Sequence, residues 1–252
     1  RLSIDINLQS AADTLLGNHH GAIILMNAET GEILVMASHP TYDPNKLDEE
    51  GERLSQDDSA PLLNRATQGM YPLGNALLPL LQANFGDAQA SNNELLAFYE
   101  QLGIFRTPLI TLPVAESQRA EKAQELRASP LQVILATAAL SNHGVIPAPR
   151  IATAVNTLEQ GWVVLPALDE PRELFSAQVA DEAAHSFVQE GKAYWSYAGQ
   201  GVINKTTVSW LIAGTPPDWQ GAPLALVVAV EENNTQLAAQ MGDALFSSVL
   251  GK

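Results

Sequence analysis

The chain has 252 residues with 28 acidic and 13 basic side chains, a formal charge of −15 at neutral pH, which argues against a nucleic acid or an anionic membrane surface as partner. Hydrophobic residues make up 46% of it, a globular rather than a disordered composition, and the length fits one two-lobed domain or two small ones. With no cysteine, disulfides, thiolate metal sites and a cysteine nucleophile are excluded, while the compartment stays open.

The longest apolar runs, Pro223 to Val230 and Ile33 to Ala37, fall well short of the roughly 20 residues that cross a bilayer, so no span is expected. Arg1-Leu2-Ser3-Ile4-Asp5 lacks the marks of a signal peptide and reads like the interior of a longer protein, with any anchor upstream.

Asp5 is placed to cap a helix whose apolar positions Leu8, Ala11, Ala12, Leu15 and Leu16 recur at helical spacing, with Gly17 closing it. Two β-rich runs follow, Ala22 to Asn27 and Glu32 to Ala37, joined by Ala28-Glu29-Thr30-Gly31. They predict a hairpin, and their unbroken apolar character predicts a sheet covered on both faces. Ser38 to Arg65 turns to Pro, Asp, Asn and Glu and reads as an irregular surface excursion. Helices are predicted at about Asn75 to Asn84, at Ser91 to Leu102, and at Leu131 to His143, where Ser129 stands at the cap and Pro130 at the first helical position. Another is predicted at Ser176 to Glu190. After Gly199-Gln200-Gly201 three strands are expected, Val202 to Ser209, Trp210 to Gly214 and Leu224 to Val230, and then a helix from about Thr235 to Leu250. Strands at both ends of the chain imply one sheet built from the termini, backed by the first and last helices, with a helical lobe inserted.

Several strings then stand out in order: Leu2-Ser3-Ile4-Asp5-Ile6-Asn7-Leu8-Gln9, Gly21-Ala22 through Asn27-Ala28-Glu29-Thr30-Gly31-Glu32-Ile33-Leu34, Pro40-Thr41-Tyr42-Asp43-Pro44-Asn45, Leu63-Asn64-Arg65-Ala66, Tyr71-Pro72-Leu73-Gly74 and Ser129-Pro130-Leu131-Gln132. Together they resemble the transpeptidase domain of penicillin-binding proteins, which shares its fold with the serine β-lactamases, and the resemblance covers nearly the whole chain. It implies an α+β fold: an antiparallel sheet of about five strands flanked by helices, with a reduced helical subdomain. On this reading residues 1–252 form one domain, with a sheet lobe of about 1–40 and 190–252 and a helical, irregular lobe of about 41–189.

The family's chemistry rests on the motifs S-x-x-K, S-x-N and K-T-G. In the first, serine and lysine stand one helical turn apart, so that the amine takes the hydroxyl proton as the oxygen attacks. Here the resemblance puts Asn75 in the serine's place and Leu78 in the lysine's. An amide is a poor nucleophile and leucine moves no proton, so no catalytic residue is assigned by this route. Ser91-Asn92-Asn93 stands as S-x-N, with Ser91 and Asn93 at its two fixed positions, or else simply caps a helix.

Lys205-Thr206-Thr207 stands where K-T-G is expected, the glycine replaced by Thr207, whose side chain would narrow a groove in which substrate lies as an added strand. The backbone N–H groups of Asn75 and Val208 would form the oxyanion hole. Val208 with Lys205 would line a residual ligand groove, unless Lys205 merely faces solvent.

The remaining candidates have plainer readings. His19-His20 lacks a third ligand at metal spacing, and His143 offsets a helix dipole. The carboxylates Asp48, Glu49, Glu50 and Glu52 lack the spacing of a calcium loop and read as a solvated loop. Tyr194-Trp195-Ser196-Tyr197 either lines a ligand cleft or packs at the sheet edge, packing being the plainer reading. No metal and no cofactor is assigned.

The sequence therefore predicts a domain that is not an enzyme, a catalytically inactive relative of the D,D-transpeptidases. Its expected role is structural or regulatory, in peptidoglycan synthesis outside the cytoplasm. Expected partners are cell-wall synthesis or division proteins and a peptidoglycan stem peptide, with membrane attachment only through an upstream anchor. Two alternatives stay open: an active D,D-transpeptidase or carboxypeptidase whose nucleophile has moved to Ser91 with Lys205 as base, and a reversible sensor of the stem peptide.

Overall fold

The computed structural model describes residues 1–250, so the last two positions of the expected sheet lobe lie outside the described residues. The chain opens with α1 (Ile6–Leu16), whose N–H groups at Asn7 and Leu8 are capped by the Asp5 carboxylate, and the hairpin β1 (Gly21–Asn27) and β2 (Ile33–His39). Next come α2 (Leu47–Ser55), α3 (Arg65–Gln68), β3 (Tyr71–Pro72), α4 (Leu78–Phe85) and α5 (Asn92–Gln101). They lead to β4 (Arg127–Ala128) and α6 (Pro130–Ser141), and then to the short strands β5 (Val145–Ile146), β6 (Ala154–Thr157), β7 (Gly161–Val164) and β8 (Arg172–Glu173). The chain continues through α7 (Ala177–Ser186), β9 (Trp195–Ile203), β10 (Thr206–Gly214), β11 (Leu224–Val230) and α8 (Thr235–Leu250).

The central sheet has five strands in the order β2-β1-β11-β10-β9, all neighbours antiparallel, as the family resemblance implies. Successive side chains alternate between its faces, and the core divides accordingly. Ile23 and Leu25, Leu226 and Val228, and Leu211 and Ala213 pack with Leu16, Met241, Leu245 and Phe246 of α1 and α8. Ala22, Ile24, Val227, Trp210 and Ile212 face the other way, onto α6 and the helices around it. All residues of α6 are buried, as befits a helix that is apolar all round. Its N-terminus is closed by a capping box between Ser129 and Gln132, whose side-chain amide also donates to the Ile104 carbonyl at 2.8 Å.

Four local expectations are corrected. The stretch 38–65 is not wholly irregular: Asp48, Glu49 and Glu50 form the first turn of α2, where carboxylates favour the positive end of the helix dipole. The helix expected from Asn75 begins at Leu78, because Asn75 is turned toward β9 and Pro79 fits only the first turn. The strand break expected between Ser209 and Trp210 lies instead at Asn204-Lys205, where Asn204 has φ +56°, a turn conformation that asparagine tolerates. β9 accordingly starts at Trp195 and takes in the aromatic cluster. Finally, β2 alternates buried and half-buried residues because it is an edge strand.

Tyr99 is buried in the core, and burial pushes its phenol up to about 12. An unfolded tyrosine ionises near pH ~10, so the native state holds this proton more tightly. Its contribution to stability is complete below about pH 10 and falls by about 1.4 kcal/mol per pH unit as pH rises from there toward the native value. Tyr99→Phe is expected to flatten the loss of stability between about pH 10 and 12, with stability at neutral pH changed by less than about 1 kcal/mol, as urea titrations at each pH will record.

Candidate functional site

The segment from Arg65 to Leu77 is positioned from three sides. Arg65, itself buried, donates from Nε to Glu231 Oε1 at 2.7 Å and from its other two nitrogens to the Ala60 and Ser59 carbonyls. Tyr71 donates its hydroxyl to the same Glu231 oxygen at 2.6 Å. Burial and that neighbouring negative charge hold its phenol far above the usual range. Beyond Tyr71, β3 pairs with β4, and the Trp210 indole N–H binds the Pro72 carbonyl at 2.8 Å.

This segment crosses directly over β9. A Cβ added at Gly201 would lie 1.9 Å from the Pro72 carbonyl oxygen, and one at Gly199 would lie 2.9 Å from the Ala76 Cα. From the other side, Gly74, at φ +50°, would drive a Cβ to 2.0 Å from the Gln200 carbonyl oxygen. Gly199 and Gly201 are two residues apart on one strand and so open one face of it. The approach of two backbones requires glycine at all three positions.

Asn75 sits at the crossing, exposed, and bonds to β9 three ways. Its N–H donates to the Gln200 carbonyl at 3.2 Å, its Oδ1 accepts from the Gln200 N–H at 2.7 Å, and its Nδ2 donates to the Tyr197 hydroxyl at 2.9 Å. A backbone N–H has only a proton to offer, so it fixes which end of the amide faces Gln200. Tyr197 is raised by burial, an effect the Asn75 bond opposes. Its ring meets Phe187 edge-on. The Gln200 side chain reaches on to Asn233. Chemically the site presents amides and a phenol: hydrogen-bonding groups without a hydroxyl–amine pair at residues 75 and 78. Leu78 is bonded to Asn75 only through its backbone N–H, 3.1 Å from the Asn75 carbonyl.

The other residues singled out from the sequence lie elsewhere. Lys205 is in the tight turn between β9 and β10, with Thr206 opposite Ile203 and Thr207 opposite Val202. Val208 is fully buried and pairs with Gly201. The groove and oxyanion hole expected from Lys205, Thr207 and Val208 are therefore corrected. β10 is an interior strand, and the strand beside Asn75 is β9 at Gly199-Gln200-Gly201. The Asn75 N–H is engaged by Gln200 as well. Ser91 caps α5, its hydroxyl on Glu94 Oε2 at 2.7 Å, while Asn93 lies in the first turn of that helix. Neither Ser91 nor Asn93 is hydrogen-bonded to Lys205.

His19 is paired with Glu232 and His143 with Asp181. Sequence reasoning favoured packing for Tyr197 and passed over Gln200 and Asn233 as site residues. The signal for Gln200 was available: a Gly-x-Gly inside an apolar strand marks a place where another backbone comes close.

The fold is that of solved penicillin-binding proteins. Residues 21–76 match the family model "Penicillin binding protein transpeptidase domain". The chain is similar to the peptidoglycan D,D-transpeptidase MrdA of Escherichia coli K12, 36% identical over 83 residues, 31% of this chain and 13% of that protein. It is also similar to the peptidoglycan D,D-transpeptidase PbpA of Mycolicibacterium smegmatis, 23% identical over 90% of this chain and 65% of the relative. The matches thus span less than two thirds of these relatives' length.

Among solved structures, penicillin-binding protein A of Mycobacterium tuberculosis shares the fold with a TM-score of 0.79 at 18% identity, over 99% of this chain and 81% of that one. A complex between PBP2 and MreC from Helicobacter pylori matches with a TM-score of 0.69 at 17% identity, over 98% of this chain and 63% of that one. The expectation that the chain is not an enzyme is overturned by these names, since the sequence relatives are D,D-transpeptidases. The side chains at residues 75 and 78 describe one route to acylation and do not establish inactivity.

Two variants probe the crossing. Gly201→Ala is expected to cost about 2–3 kcal/mol, because the atom it meets is backbone and must be pushed aside. Asn75→Ala is expected to cost only about 1 kcal/mol, since water can replace the lost bonds at this exposed position, and to speed hydrogen exchange at the Gln200 amide. Urea titration and amide exchange measure both.

Proposed function

We propose that the domain serves peptidoglycan synthesis outside the cytoplasm as a structural or regulatory component assembled with other cell-wall proteins. We place Asn75 and Leu78 at the serine and lysine positions of the family motif, and Gly199-Gln200-Gly201 on the strand that would border a bound peptide. On this reading residues 1–252 work as one domain. The observation that carries it is the attachment of Asn75 to β9. The side-chain carbonyl of Asn75 accepts from the Gln200 N–H and the Asn75 backbone N–H donates to the Gln200 carbonyl, so both groups that an extended ligand would otherwise pair with are taken. An asparagine so placed closes the crossing between the two lobes through hydrogen bonds, a structural use of the position. The H. pylori structure, a complex between PBP2 and MreC, supports a search among cell-wall proteins for the partner.

The test is incubation with a fluorescent penicillin, followed by denaturing electrophoresis and intact-mass analysis, beside an active transpeptidase as positive control. The attachment of Asn75 to β9 is expected to leave residue 75 without an adduct in the wild-type domain, and labelling at residue 75 is expected to appear in Asn75→Ser with Leu78→Lys. An adduct mapped to Asn75 overturns this reading of the position, and an adduct at another residue identifies the working nucleophile.

A further inference from the structure

The central sheet has two outer strands, β2 and β9, and the crossing at Asn75 lies on the second. On β2 the outward backbone groups are taken by α1 and the residues that lead into it. The Asp5 N–H donates to the Leu34 carbonyl at 2.9 Å. Two residues further along β2, Gln9 holds Met36 with both ends of its amide. Its Oε1 accepts the Met36 N–H at 2.9 Å, and its Nε2 donates to the Met36 carbonyl at 3.2 Å. A side chain thus stands where a neighbouring strand would pair. The Met36 N–H can only donate, which fixes the orientation of the Gln9 amide, and Nε2 has a second hydrogen for Asp13 Oδ2 at 3.3 Å.

The other oxygen of Asp13 faces a buried histidine. His39 ends β2, with Nε2 3.2 Å from Asp13 Oδ1 and Nδ1 2.9 Å from the Gly17 carbonyl. Neither a backbone carbonyl nor a carboxylate has a hydrogen to give. Both contacts are therefore hydrogen bonds together only when the His39–Asp13 pair holds a proton beyond the one on Nδ1. Without it, a bare ring nitrogen is turned toward an oxygen and one of the two bonds is lost.

We propose that His39, Asp13 and Gln9 form a proton-operated latch that closes the outer edge of β2. With the proton in place, His39 fastens the last turn of α1 to the end of β2, and Asp13 steadies the Gln9 amide on Met36. When the proton leaves to water, the ring and the carboxylate repel, the last turn of α1 loosens, and the Met36 backbone groups open to solvent. Other titratable groups stand close by, on the connection from α1 to β1. His19 pairs with Glu232, and His20 lies 3.9 Å from Glu231, which also accepts from Arg65 and Tyr71. The charge of His20 also reaches Asp57. Histidine is the side chain whose charge changes near neutral pH, so the test separates these pairs from the latch. The latch is at the opposite edge of the sheet from Asn75 and holds or fails independently of the function proposed above.

Asp13→Asn makes the separation. An asparagine amide can donate to Nε2 of a ring with one proton and still accept from Gln9, so the variant keeps the contacts without the extra proton and leaves His19 and His20 unchanged. The measurement is amide hydrogen exchange, read as the protection of Met36 relative to that of Val228 in the interior strand β11. In the wild-type domain this ratio is expected to fall at least about fivefold between pH 5.5 and pH 8.0. In Asp13→Asn it is expected to change less than about twofold over the same range, and Gln9→Ala is expected to remove the protection of Met36 at every pH. A wild-type ratio that stays constant or rises with pH overturns the proposal. So does a fall of equal size in Asp13→Asn, which assigns the effect to the other histidines, or protection of Met36 that survives Gln9→Ala.

Discussion

The close passage of residues 72–76 over β9 is the constraint on which the rest of the site depends. Two backbones meet where a single methyl group on Gly201 or Gly74 would overlap a carbonyl oxygen. Such an approach is held only if both partners are rigid. The sheet supplies one side: β9 is bonded along its length to β10, which is bonded in turn to β11. On the other side, the segment is pinned by β4 and by the Trp210 indole. Everything that reaches Asn75 is therefore placed by the fold before any side chain at residue 75 is considered.

Glu231 joins these two halves. It follows β11 directly and accepts from both Arg65 and Tyr71, so one carboxylate ties the centre of the sheet to the start of α3 and to β3. The guanidinium of Arg65 is buried, yet all its nitrogens have partners, which is the condition under which such a buried charge is tolerated. Removing the carboxylate would leave that charge unpaired in the interior, a loss of about 3–5 kcal/mol in comparable cases. The Asn64-Arg65-Ala66 string is thus explained by folding: Asn64 caps α3, Arg65 meets Glu231, and Ala66 is buried against the sheet.

The fold was legible in the sequence because its main elements announce themselves by periodicity and punctuation. Asp5 and Gly17 bracket α1, Ser129-Pro130 opens α6, and the continuous apolar runs of β1 and β11 belong to strands covered on both faces. The site was legible only in part. Asn75 was singled out because the strings before it are distinctive, whereas the strand expected beside it lies a few residues from the one it bonds to. Lys205-Thr206-Thr207 imitates a motif, but strand register decides which residues face the crossing, and register is set by the turn at Asn204-Lys205 and by pairing with β10. A reading by string match cannot see that. A reading that asked why glycine recurs at 199 and 201 would have found the right strand.

An asparagine at residue 75 is also consistent with this geometry in a way that is independent of chemistry. A side chain there must point along β9, because Gly74 and Ala76 are held in contact with Gln200 and Gly199. The amide is long enough to reach both Gln200 N–H and Tyr197 Oη, and it carries one acceptor and one donor group to match them. A serine hydroxyl in the same place is shorter and has no second arm, so it would leave the Tyr197 hydroxyl or the Gln200 N–H for a ligand to bind. The choice between a position that presents an oxygen to a ligand and one that fastens two lobes together thus turns on two side-chain heavy atoms. The backbone around it, built from three glycines and a buried arginine–glutamate pair, is suited to either.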